Sequence, residues 1–388
     1  MRWDQPDDHE AITTSRIGPE RASPWETPPV STEAQEQLAG QFDTQAMGCR
    51  QLGSTLWADM CVQLAADLRA GGPTWKLLES NAGTRWGLAL PLRLLGGTHR
   101  LALTGGAGAL AATLPSCGAT TIDADRTWDA MRELIALAPP DLVAALDLQV
   151  QTNEVGRSAA LVIGLARLAE RWGTPIDLAE IGSSAGLNLQ LDRFAYQHGD
   201  TVVGDPESPV RMAEVWDRDP NLAALSDLVV SRRSGCDVAP VDPTTTEGAL
   251  RLRSFVWPDQ TARFARLDGA IRLATETPPT LSSESASTFV PMMLQRDRTG
   301  GVVIMHSIMW QYVDKDERVT ITEAIEAAGA AATAERPVAW LAYEPDPDVR
   351  TRASLRLRSW PGDGESDAGR PEVLAVGGFH GEWVGVLR

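Results

Sequence analysis

Lysine is nearly absent from the 388 residues: Lys76 and Lys315 are the only two, and arginine carries the remaining positive charge. Asp and Glu total 52 against 35 for Lys and Arg, a net charge of −17. That balance argues against a nucleic-acid binder that neutralises phosphates with a basic face. Cysteine is also scarce. Cys49, Cys61, Cys117 and Cys236 form no Cys-x-x-Cys pair and have no His at zinc-ligand spacing, so they read as free thiols in a reducing compartment. His9, His99, His198, His306 and His380 are dispersed. No His-x-x-x-His or His-Glu-x-x-His occurs, and no metal is expected.

Long hydrophobic runs are missing as well. The most apolar stretch, Gly87 to Gly118, is broken by Arg93, His99 and Arg100, short of the roughly 18 clean apolar residues of a membrane span. The start, MRWDQPDDHE, is acidic and lacks the charged and apolar regions of a signal peptide. These absences predict a cytoplasmic protein that meets a small molecule rather than nucleic acid or membrane. The oligomeric state stays open. What is present is ordinary globular composition, 43% hydrophobic and 22% charged, in a chain long enough for two or three domains.

Residues 1–36 are rich in proline and acid and read as a mobile tail. Residues 37–150 read as mainly helical: Leu56 to Ala70 repeats apolar groups at helical spacing up to Gly71-Gly72-Pro73, and Thr127 to Leu137 and Asp141 to Leu148 follow. From 151 to 388 strands and helices alternate. Strands are predicted at 176–181, 228–231, 252–257, 302–306, 338–343, 354–360 and 373–376. Helices are predicted at 157–172, 187–196, 261–275 and 318–332. Alternation implies an α/β fold, a mostly parallel sheet with helices on both faces. The last strands have no helix between them, which predicts an antiparallel C-terminal hairpin.

The most informative segment is PIDLAEIGSSAGLNLQLDR, residues 175–193. It reads as strand, Gly-rich turn and helix, with Glu180-x-Gly182-x-x-x-Gly186 at the junction. Small residues there let backbone approach a ligand, and free N–H groups at a helix start bind its polar groups. The segment resembles the first motif of the S-adenosylmethionine-dependent methyltransferases, with Ser184 where the middle Gly is usual. That resemblance implies a Rossmann-like sheet and a cofactor held by Glu180, Gly182, Ser183, Ser184, Gly186 and Asn188. It implies an acid for the ribose after the next strand, Asp237 or Asp242, and an acid near the adenine, Asp259 beyond the strand predicted at 252–257. Gly182 to Gly186 is also a Gly-x-Ser-x-Gly sequence, the nucleophile elbow of α/β hydrolases, with Ser184 as nucleophile and an acid and His downstream.

A second polar cluster, QTNEVGR at 151–157, opens the helix predicted at 157–172. That helix is about as long as the strand and turn it precedes and runs back along the strand. Its start therefore belongs beside the Gly-rich loop. Thr152 and Asn153 are candidate substrate contacts, and Glu154 and Arg157 candidate catalytic groups. His306, ending the apolar strand GVVIM, is a candidate general base. His380, in the turn GGFHGEW, ranks below it. Together, QTNEVGR, EIGSSAGLNLQLDRF, GDPESPV, FVWPD, the His-Ser at 306 and the closing HGEW are similar to a bacterial family, domain of unknown function 2332. The similarity runs from about residue 45 to the C-terminus. It implies a methyltransferase-type α/β domain with an N-terminal helical part.

Overall fold

The protein is described by a computed structural model covering residues 32–84, 89–173, 175–362 and 367–387. Most of the span read as a tail, residues 1–31, lies outside the described residues. Its last part is helical, because helix α1 spans Thr32–Gln51. Helix α2 follows at Thr55–Arg69, where the Ser54 side chain caps the N–H of Trp57. Helices α3 (Leu90–Leu103) and α4 (Ala124–Leu137) complete the longer N-terminal helices. Their apolar faces close a core around Phe42, Trp57, Leu64, Leu94 and Met131 that also takes in Trp257 from much later in the chain. Gly96 permits that docking: a Cβ there would lie 2.6 Å from the Phe255 ring.

Helix α5 (Ser158–Trp172) leads into strand β1 (Ile176–Ile181). Three short strands, β2 (Ala195–His198), β3 (Thr201–Val203) and β4 (Arg211–Ala213), form a small separate sheet. Then come β5 (Val230–Cys236), α6 (Thr246–Ser254), α7 (Thr261–Glu276), β6 (Thr280–Ser282) and α8 (Ala286–Gln295). The chain continues through β7 (Gly301–Ser307), α9 (Lys315–Ala330), β8 (Val338–Pro345), β9 (Ala353–Trp360), β10 (Glu372–Gly377) and β11 (Val384–Val386).

Eight of these strands form one sheet in the order β11-β10-β9-β8-β7-β1-β5-β6. The pairs β5–β6, β1–β5, β1–β7 and β7–β8 are parallel, and β8 to β11 form an antiparallel meander. β7 is buried along its whole length, as an apolar strand covered on both faces must be. Helix α5 packs on one face through Leu161, Leu165 and Leu168, and Gly164 makes room for Leu341. α8 and α9 cover the other face through Phe289, Val290, Ile321 and Ile325. The chain leaves β1 toward β5 and β6, then returns to β7 on the opposite side. This reversal is the switch point at which open α/β sheets bind ligands beyond the strand ends.

Three local expectations are corrected. Residues 187–193 form a 3₁₀ turn rather than an α-helix, and β2 follows at once. Leu187 to Leu191 are all buried, so no amphipathic periodicity exists to drive a helix. The segment is pinned from outside: Arg233 donates to the Leu189 carbonyl, and Gln190 donates to that of Thr277. Residues 252–257 end a helix rather than form a strand, because Thr245 caps the Gly248 N–H and starts α6 upstream. β5 begins at Val230 and runs to Cys236, farther than the apolar run suggested. Its charged positions are tolerated because Arg232 pairs with Asp177 and Arg233 with Asp192.

Candidate functional site

The Gly-rich loop leaves β1 at the switch point. Gly182, Ser184 and Gly186 all have positive φ (64°, 52° and 68°). Ser184 therefore adopts the left-handed backbone that glycine adopts more freely. The end of β5 holds the loop in this shape. Ser183 N–H donates to the Cys236 carbonyl at 3.0 Å, and Ser184 N–H donates to Asp237 Oδ2 at 2.9 Å. Asp237 Oδ1 accepts from Ala239 N–H at 2.9 Å. Asp237 thus stands at the carboxyl end of the strand next to β1 and fastens the loop. Ser183 is buried against Gly235, where a Cβ would lie 2.5 Å from its Oγ.

The polar cluster before α5 lies against this loop. Asn153 Oδ1 accepts from Leu187 N–H at 2.9 Å, and Asn188 Nδ2 donates to the Glu154 carbonyl at 3.2 Å. Ser184 Oγ donates to Gln151 Oε1 at 2.7 Å. Gln151, the first residue of the polar cluster, thereby ties that cluster to the loop. Thr152 is exposed and turned to solvent. Arg157 is committed to backbone: its Nε donates to the Phe379 carbonyl at 3.0 Å and its Nη1 to the Ser307 carbonyl at 3.1 Å.

Two buried carboxylates at this junction differ in character. Glu154 Oε1 accepts from Gly156 N–H, and its other oxygen receives Arg263. Burial alone would raise its pKa. Arg263, His380, Arg157 and the Gly156 N–H outweigh that and bring it to about 2. Glu180, at the end of β1, is 2% exposed, and its Oε2 has no hydrogen-bond partner. Burial pushes its pKa well up, Arg157 pulls it partly back, and Asp237 adds to the rise. Glu180 is therefore an unsatisfied acid that favours its protonated form.

The family model described as Uncharacterized protein conserved in bacteria (DUF2332) matches residues 39–385. The chain belongs to that family. Its match spans both the N-terminal helices and the whole sheet. No curated protein and no solved structure matches the chain.

In this family member several candidates have other duties. His306 cannot serve as a free base. Trp340 Nε1 donates to its Nε2 at 3.0 Å, so the ring proton sits on Nδ1, 2.7 Å from Glu344 Oε1. The ring also stacks on Trp310 with centroids 4.9 Å apart. Asp242 lies in an exposed turn and accepts from Thr244 N–H and its hydroxyl. Asp259 follows a helix and turn, not a strand. It accepts from the Ser54 hydroxyl at 2.6 Å and from Leu56 N–H at 3.1 Å, so it pins the start of α2.

Arg263, which no sequence motif singles out, and His380, which ranks below His306 in the sequence, both meet Glu154. Arg263 lies 5.6 Å from the Trp257 ring centroid and His380 stands edge-on to the same ring. Glu154 lies more than 100 residues before Arg263 and Trp257 more than 100 before His380, so no local spacing announces the cluster. Among the described residues, no group of three or more His, Cys, Asp or Glu is placed to hold a metal, and no helix is long and apolar enough to cross a membrane.

Proposed function

We propose that the chain binds S-adenosylmethionine at the carboxyl ends of β1 and β5 and acts as a methyltransferase on a small molecule. The observation that carries this reading is Glu180: a buried carboxyl with an unpartnered oxygen, beside a loop of three positive-φ residues, at the point where the strand order reverses. A ligand bearing a cationic amine or sulfonium gives that oxygen the partner it lacks. Asp237, just past the end of β5, holds the loop backbone through the Ser184 N–H. Gly182 and Gly186 bring backbone close, and Asn188, just beyond the loop, leaves its buried Oδ1 unpartnered.

When bound, this cofactor supplies an electrophilic methyl group on sulfur. Transfer then depends chiefly on alignment of the acceptor. Glu154 is held ionised by Arg263 and both nitrogens of His306 are occupied. Neither group is free to take a proton from the acceptor, so this reading expects an acceptor that needs no general base.

Thermal-shift measurement with S-adenosylmethionine and S-adenosylhomocysteine tests the reading. Both should raise Tm, and Gly186→Trp, which fills the turn against Leu281 and Pro279, should abolish the shift. No shift from either compound at millimolar concentration would remove the proposal.

One observation favours a second reading, serine hydrolysis: Ser184 has the positive φ of a nucleophile at a Gly-x-Ser-x-Gly turn. Its hydroxyl, however, donates to the Gln151 amide oxygen, which is no base, and no histidine among the described residues is bonded to it. A fluorophosphonate probe separates the two. The cofactor reading expects no labelling; labelling lost in Ser184→Ala would favour the hydrolase.

A further inference from the structure

On the far side of Glu154 from the Gly-rich loop lies a cavity of about 270 Å³. Asp259, Gln260, Thr261, Arg263, Arg266 and His380 supply its polar lining. It sits where the start of α7, the end of α1 and the C-terminal HGEW turn converge.

Most of its charged groups are already engaged. Arg263 is spent on Glu154 and Gln260. Asp259 gives both oxygens to the start of α2. Glu382, exposed at the rim, accepts the His380 backbone N–H at 3.0 Å. Burial and the Arg263 charge bring the His380 ring down to about 4, so at neutral pH it offers a donor or an acceptor but no charge.

Arg266 differs from Arg263. The Nε of both arginines is buried without a hydrogen-bond partner, but Arg263 has its other two nitrogens bonded, whereas among the described residues no side chain bonds the Arg266 guanidinium, and burial disfavours its charged form. The charge that favours it most, Glu154, is shared with Arg263. A guanidinium brings five donors in a fixed planar fork. Leaving the buried Nε–H unmet is costly unless a ligand meets it.

We propose that this cavity is a binding site for a small carboxylate, held by the Arg266 fork with His380 as a neutral hydrogen-bonding partner. Asp259 and Glu382 set the charge of the ligand. The two carboxylates leave no excess of positive charge around the Arg266 fork, so a phosphate dianion is repelled more strongly than a carboxylate monoanion, whose binding rests on the bidentate hydrogen bonds of the guanidinium. The volume suits a compact molecule, below the 300–1,000 Å³ typical of drug-sized pockets. The site does not depend on cofactor binding at the Gly-rich loop.

The test uses the full-length protein and phenylglyoxal, which labels accessible guanidinium groups, with labelling of Arg266 followed by mass spectrometry. Acetate and benzoate serve as probes, acetamide and benzamide as their uncharged matches, and inorganic phosphate as the competing anion. The expected result is at least fivefold slower labelling of Arg266 with a carboxylate and no slowing with its amide or with phosphate. The carboxylate should also raise Tm in the wild type but not in Arg266→Gln. Should that variant fail to fold, labelling of the wild type still decides. The proposal is overturned if amide and carboxylate protect equally, if neither carboxylate protects, if phosphate protects as well, or if a folded Arg266→Gln keeps the carboxylate's thermal shift.

Discussion

Glu180 and Glu154 show how neighbours decide what a buried carboxylate does. The folded-state pKa of Glu180 is raised above its ordinary 4.5. Its contribution to stability is therefore full below pH 4.5 and is lost as pH rises through the folded value. Glu180→Gln should leave Tm unchanged at pH 4 and raise it at pH 8, by about 1–3 kcal/mol of stability, the cost of an unsatisfied buried group. Thermal melts at the two pH values check this. Glu154 has the opposite sign: its pKa is lowered to about 2, so its contribution is present above pH 4.5 and lost as pH falls through 2. Glu154→Gln leaves Arg263 unpaired and should cost about 3 kcal/mol at pH 7, seen as a lower denaturant midpoint. Met309 gives a prediction for binding. Its side chain lies 2.9 Å from where a Gly182 Cβ would be, so a ligand reaching Gly182 must displace it. Met309→Ala should tighten S-adenosylmethionine binding severalfold, measured by calorimetry. At this scale the sequence made Glu180 and Glu154 legible as site candidates. It did not reveal that His306 is enclosed by Trp310, Trp340 and Glu344, because two of these partners lie on β8, more than 30 residues downstream.

Elements that alternate in hydrophobicity were readable, and elements held by distant partners were not. α2, α7, α9 and the strands β7 to β10 follow their apolar patterns closely. α8 carries Pro291 inside it, a residue that ordinarily ends a helix, and no pattern announced it. The 187–193 turn is fixed by contacts from β5 and α7 rather than by its own propensity. The fit of the QTNEVGR segment against the Gly-rich loop, by contrast, follows from matching helix and strand lengths. Asp259 is where an element-level duty replaced an expected ligand contact. Asp259→Ala removes the tie between α7's approach and the first turn of α2 and should cost about 1–2 kcal/mol. Urea denaturation should show that loss, while affinity for S-adenosylmethionine stays unchanged. A loss of affinity without a loss of stability would restore the adenine role.

The whole molecule joins a helical core and a sheet core through the segment that carries Trp257, Asp259 and Arg263. Composition foretold an acidic globular protein, and the alternation of strands and helices foretold the α/β class, with a parallel centre and an antiparallel end. Strand order was beyond the sequence, because it depends on which strands meet rather than on what each contains. That order makes the Glu180 loop the switch point, and the excess of acid now has two local expressions: an unsatisfied carboxyl at the loop and fixed carboxylates around the Arg266 cavity. The most direct measurement is calorimetric titration of S-adenosylmethionine into the wild type and Glu180→Gln at pH 7.5. A single-site isotherm for the wild type, weakened at least tenfold in a variant that melts higher, is the predicted result. No heat from the wild type at millimolar ligand, or equal affinity in the two proteins, would contradict it.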